Sequence, residues 1–303
     1  MQKIYVSLFF FLILTVFSCT VIKKSQHPFE AKLFTPVNSF TSGAEGPAVD
    51  KEGNLYAVNF LKEGTIGKVT VKGIGSVFLE LPNKSIGNGI RFNSKGEMFV
   101  ADYINHNILK IKMSEKQLSV YANEPLMSQP NDIAIDSKDR LYASDPNWAA
   151  GTGTIWRIDT NGKVTALEKN MGTTNGIEVS PDEKILYVNE SVQRKVWAYD
   201  LSETGLISHK RLLIEFPDFG MDGMRCDSAG NLFIARHGKG TIVEISSTGK
   251  IVREIILSGK SPSNLAFGGV DGRTIFVTLQ DTKNIESFEV DIPGREWVMK
   301  QSK

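Results

Sequence analysis

Six segments of the chain start with an oxygen-bearing side chain and run on into a short apolar stretch. They are Glu45-Gly-Pro-Ala-Val-Asp50, Asn88-Gly-Ile-Arg-Phe-Asn93, Asn131-Asp-Ile-Ala-Ile-Asp136, Asn175-Gly-Ile-Glu-Val-Ser180, Asp222-Gly-Met-Arg-Cys-Asp227 and Asn264-Leu-Ala-Phe-Gly-Gly269. Their first residues recur at steps of 43, 43, 44, 47 and 42 residues. Asn and Asp before a strand often bond their own backbone in a turn, but turn chemistry does not account for Glu45. If the six ends converge, two carboxylates and several amide oxygens face one small space. That is a site for a hard divalent cation, and the charges of Glu45 and Asp222 match a 2+ ion. Ca²⁺ is the natural ion, with Mg²⁺, Mn²⁺ and Zn²⁺ as alternatives. Asp50, Asp136 and Asp227 lack the alternating ligands and closing Glu of an EF-hand loop and read as hairpin turns.

The elements that would gather these residues are legible in the same repeat. Each leading segment is followed by a second apolar run, such as Asn54-Leu-Tyr-Ala-Val-Asn59 or Arg140-Leu-Tyr-Ala-Ser-Asp145. A third run follows, such as Thr154-Ile-Trp-Arg-Ile158, and a fourth, such as Leu118-Ser-Val-Tyr121. Alternating runs separated by Asp, Ser, Asn and Gly read as strands and turns. Four strands in about 44 residues make a propeller blade. The chain therefore reads as all-β: one six-bladed β-propeller with four-stranded antiparallel blades and no convincing helix. The first strand of each blade lines the central channel, and the stretch Glu30 to Val37 is expected to close the last blade.

Composition excludes several classes. With 35 Lys+Arg against 34 Asp+Glu, the net charge is +1, which argues against a nucleic-acid binder. Four His and two Cys leave no disulfide framework, zinc ribbon or iron–sulfur site. The N-terminus reads as an address. One Lys, an apolar stretch from Ile4 to Phe17 and then Ser18-Cys19 make residues 1–18 a signal peptide with a lipobox-like end. Cys19 is then the residue to be lipidated, 19–29 a polar tether and 30–303 the propeller. The expected location is the bacterial cell envelope, in the periplasm or anchored to a membrane by lipid. Cys226, left without a partner, reads as a buried small hydrophobe. Trp148 lies in an insertion after Asp145 and reads as a lid over the channel mouth or a hairpin tip. His237 is the one histidine that could face the site.

The segments Gly220–Ala235 and Pro262–Thr278, with Glu45-Gly-Pro and Thr174–Asp182, resemble the SMP-30/gluconolactonase family, and the resemblance covers roughly Thr41 to Val290. It implies a propeller with a divalent metal in the channel, acting as a lactonase or related hydrolase on a small lactone or ester. A closed propeller needs no partner for stability, so a monomer is expected. By that resemblance Glu45, Asn175 and Asp222 hold the metal, and Asp222 also takes a proton. Asn131 contacts substrate, or the metal in related phosphotriesterases. Gln129, where sugar-lactone members often carry an Arg, and Asn88 complete the substrate side. Asp132 is the second carboxylate that could take the proton, because an Asp bound to a cation is a poor base. The competing reading is a non-catalytic NHL-like propeller that binds a ligand or an exported protein, for which Glu45, Asn175 and Asp222 would serve no purpose.

Overall fold

The computed structural model describes Met1 and residues 28–301. Residues 2–18 of the expected signal peptide, and Cys19, lie outside the described residues. Six four-stranded antiparallel sheets follow one another along the chain. The innermost strands are Phe40–Val49, Gly87–Phe92, Ile133–Ile135, Thr174–Val179, Met224–Cys226 and Pro262–Gly268, and each neighbours the next around a closed ring. The ring closes as expected. Lys32–Leu33 pairs with Asn284–Glu289 as the outer strand of the sixth blade, so the first and last segments of the fold share one sheet.

The core lies between blades rather than at the centre. Ala48, Tyr56, Val58 and Ile66 of the first blade pack on Ile90, Phe92, Met98 and Val100 of the second, and the same pattern is repeated around the ring. Both faces of each sheet are thus covered, which is why the strands read as nearly continuous apolar runs. Trp156, Trp197 and Trp297 serve this packing. The turn reading of Asp50, Asp136 and Asp227 holds. Each accepts the backbone N–H four residues on, at 2.8, 3.0 and 2.9 Å.

One element departs from the expectation. The chain ends in a short helix, Arg295–Gln301, set across the opening of the channel opposite the oxygen cluster. Seven residues are too few to show a period, and a helix this short is marginal by itself. Its contacts hold it, and they reach every blade. Lys300 Nζ donates to the carbonyl of Val49 at 2.6 Å, Glu296 pairs with Arg91 at 2.6 Å, and Arg295 donates to the carbonyl of Ile135 at 2.9 Å. Arg295 also pairs with Glu183 at 2.8 Å, Gly294 bridges Asp227, and the Gly294 N–H donates to Gly272.

Candidate functional site

The leading residues of the repeats are aimed by irregular pairing. The ladder between the first and second strands is interrupted between Glu45 and Ala48, Gly87 and Ile90, Thr174 and Ile177, and Pro262 and Asn264. Such a bulge turns a side chain out of the regular alternation. Here it turns Glu45, Asn88 and Asn175 towards the channel axis. Close approach between neighbouring blades completes the ring. Gly46 has φ +56°, and a Cβ there would sit 1.9 Å from the carbonyl oxygen of Asn88. A Cβ on Gly223 would sit 2.1 Å from the side chain of Asn264.

Together these side chains form the floor of a cavity of about 460 Å³, lined by Glu45, Asn88, Asn131, Asn175 and Asp222 among others. Glu45 Oε1 and the Oδ1 atoms of Asn88, Asn131 and Asn175 are buried there without a hydrogen-bond partner. Orphaned buried acceptors are rare, and several in one place form a donor set that a hard cation would satisfy. Burial, and then the nearby charge of Asp132, push the Glu45 carboxyl up to about 7. Burial and the adjacent Glu45 raise Asp222 well above the usual carboxylate range. Two carboxylates held together in a dry site are each costly to ionise without a positive partner. Among the described residues no group of three or more His, Cys, Asp or Glu could hold a metal. A cation here would rest on amide oxygens as well as on Glu45 and Asp222, a donor set that fits a hard ion.

The sixth leading residue behaves differently. Asn264 Oδ1 accepts from the N–H of Leu265 at 2.9 Å, so its amide nitrogen is left to face Glu45. Its Nδ2 makes no hydrogen bond of its own among the described residues, and with its oxygen engaged Asn264 does not join the oxygen set. Asn189, which sequence reasoning missed, anchors the Asp222 backbone, with its Nδ2 donating to the carbonyl of Asp222 at 2.6 Å.

Asp132 is not brought to the cavity. Its carboxylate is fully buried and accepts from Arg225 Nη1 at 2.9 Å and from Arg91 at 3.5 Å. Its neighbour along the chain, Asn131, faces the cavity while Asp132 faces the channel below it. Gln129 is not part of the lining either, but it lies close to Tyr103, which does line the cavity beside Trp148. Of the two readings of Trp148, the hairpin tip is the one the structure shows. It stands at a hairpin tip, closed by the Ala150 N–H donating to Asn147 at 3.0 Å, and it walls the cavity while 38% exposed. His237 lines the cavity too, with Nε2 3.3 Å from Gln280 Oε1. Tyr103, Glu63 and Gln280 are lining residues that the repeat did not flag. They sit on turns after the second strands, outside the repeated motif.

A family model described as the SMP-30/gluconolactonase/LRE-like region matches residues 38–281. Pentonolactonase XacC of Haloferax volcanii is 35% identical over 153 residues, 49% of this chain and 52% of that protein, so the chain spans about half the length of that relative. Gluconolactonase of Zymomonas mobilis is 26% identical over 283 residues, covering 80% of this chain and 79% of that protein. The crystal structure of regucalcin from Agrobacterium tumefaciens, described as a calcium-binding protein, superposes with a TM-score of 0.76 at 22% identity, over 86% of this chain and 95% of the other. That superposition shows the fold.

Proposed function

The chain belongs to the SMP-30/gluconolactonase/LRE-like family, whose named relatives include lactone hydrolases, and on that premise we propose that it opens a small lactone or related ester with water at the channel cavity. The observation that carries this reading is the set of unpartnered oxygens on Glu45, Asn88, Asn131 and Asn175, gathered beside the Asp222 carboxylate.

Glu45, Asn131, Asn175 and Asp222 would hold a divalent cation, Ca²⁺ by donor type. When bound, the ion supplies Lewis-acid stabilisation of charge that develops on the ester oxygen. The residues of the chain do the rest. The Gly46 N–H donates to the Glu45 carboxylate, and Asn189 anchors the backbone of Asp222. Asn88, half-buried at the cavity wall with its Oδ1 unpartnered, can accept a hydrogen bond from water or substrate. Asp222 is the carboxylate placed to take a proton from the attacking water. The Tyr103 hydroxyl, raised by burial, stays protonated at neutral pH and can donate to a substrate oxygen. We place the protein outside the cytoplasm on the signal-peptide grammar of residues 1–18, with Cys19 as its lipid anchor.

The test is hydrolysis of a lactone and aryl-ester panel by pH-stat, after chelation and again with added Ca²⁺. Turnover restored by the metal and lost in Asp222→Ala supports the reading. Turnover retained by Asp222→Ala with metal still bound would overturn the assignment of Asp222.

A further inference from the structure

The two sides of the cavity differ in chemistry. Ile86, Tyr103 and Ile104 of the second blade and Trp148 of the third form one wall. Ile104 is 44% exposed and Trp148 38%, so this wall presents apolar surface to whatever enters. The facing blades, the fifth and sixth, contribute His237 and Gln280. Among the described residues that line the cavity there is no Lys or Arg. Two nearby cations are engaged elsewhere: Lys62 pairs with Glu80 at 2.8 Å and Arg236 with Asp218 at 2.8 Å. The lining carboxylates are Glu45, Asp222 and Glu63. A 2+ ion would balance the first two, and Glu63 lies exposed at the mouth, apart from that ion's ligands, with the Thr41 hydroxyl donating to it.

We infer that the cavity takes an uncharged lactone bearing an apolar substituent, in preference to polyol or anionic lactones. This rests on the hydrolase reading above and names its substrate class. The apolar wall removes a hydrocarbon tail from water, and each buried methylene favours binding. A sugar-like lactone would instead lay several hydroxyls against Ile104 and the indole face of Trp148, where the Tyr103 hydroxyl is the one polar partner on that wall. An anionic group would meet Glu63 with no cation to balance it. The same charge assists product release. Water adds to the carbonyl carbon, the acyl C–O bond breaks, and one proton ends on the new hydroxyl. The other proton leaves from the acid, so an uncharged lactone becomes a hydroxycarboxylate anion that Glu63 repels.

The experiment uses the full chain with Ca²⁺ and four probes: γ-nonalactone, γ-butyrolactone, glucono-δ-lactone and 6-phosphoglucono-δ-lactone. The expected result is kcat/KM for γ-nonalactone about tenfold or more above γ-butyrolactone, with the phosphorylated lactone the poorest of the four. Trp148→Ala should collapse the ratio between the two γ-lactones towards one. Glu63→Gln should raise the phosphorylated lactone relative to glucono-δ-lactone. A preference for either gluconolactone would overturn the inference and leave the hydrolase reading intact. Absence of turnover with all four would overturn the hydrolase reading. Binding of γ-nonalactone, followed by tryptophan fluorescence, then decides the inference alone: quenching lost in Trp148→Ala supports it, and no binding overturns it.

Discussion

The carboxylate of Asp132 accepts a hydrogen bond from Arg225 Nη1 at 2.9 Å, deep in the channel and beneath the oxygen cluster. Both side chains are buried, and the pair continues through Arg91 to Glu296 of the terminal helix. Breaking such a pair strands a charge, which costs about 3–5 kcal/mol. Arg225→Met should therefore lower unfolding stability by that amount in urea titration. Pairing it with Asp132→Asn should recover a large part, because no carboxylate is then left bare. Full additivity of the two losses would show that the residues are not coupled.

Glu296 joins the terminal helix to the channel through Arg91. Glu296→Gln leaves the fully buried Arg91 guanidinium facing a neutral amide in place of the carboxylate nearest to it. We expect a stability loss of about 3 kcal/mol and faster proteolysis of the chain end after Gly294. Protection unchanged from the parent protein would mean that Arg295, Lys300 and Trp297 hold the helix without Glu296.

The site carboxylates predict opposite pH trends with and without metal. Burial, and then the charge of Asp132, raise Glu45 from 4.5 to about 7, and burial, and then the charge of Glu45, raise Asp222 well above its ordinary value. In the metal-free protein the folded state then binds protons that the unfolded chain releases. The Glu45 contribution to stability is fully present below about 4.5 and is lost as pH rises through about 7, and that of Asp222 is lost in the same direction. Cation binding needs both groups ionised and strengthens over the same window. The gap in Tm between Ca²⁺-loaded and chelated protein should widen from pH 5 to pH 8. A gap that stays constant across that range would show that these carboxylates do not share a cation.

Removing one of the two charges should separate these effects. Glu45→Gln should abolish the Ca²⁺-dependent rise in Tm. At pH 8 it should also stabilise the chelated protein, by on the order of 2 kcal/mol, since the repulsion with Asp222 is gone. Destabilisation of the chelated variant in differential scanning calorimetry would count against the repulsion.

Gly46 tests the geometry of the ring. With φ at +56° and the Asn88 carbonyl in the space of a Cβ, Gly46→Ala must shift either Glu45 or the second blade. The expected loss is about 2–4 kcal/mol. A Ca²⁺ affinity reduced at least tenfold should accompany it in calorimetric titration. Parent-like affinity would place the metal ligands elsewhere.

Much of this molecule is fixed by its sequence. The repeat sets six blades, because each unit carries four half-apolar runs that can bury their faces only against the next unit. The turn residues Asp50, Asp136 and Asp227 act locally, so their role was legible from spacing. So was the oxygen set of Glu45, Asn88, Asn131, Asn175 and Asp222, since equivalent positions in a closed ring must converge. Other roles depend on what stands opposite, and spacing carries no such information. Asn264 looks like the other leading residues, but its oxygen is taken by Leu265 N–H and only its nitrogen faces Glu45. Asp132 follows a cavity residue in the chain, but strand alternation turns it down to Arg225. The terminal helix has too few residues to announce itself, and it is stable only because the closed ring offers Arg91, Val49 and Ile135 at one opening. The character of the cavity walls was likewise decided in three dimensions, when Tyr103 and Trp148 from adjacent blades came to stand side by side above the floor.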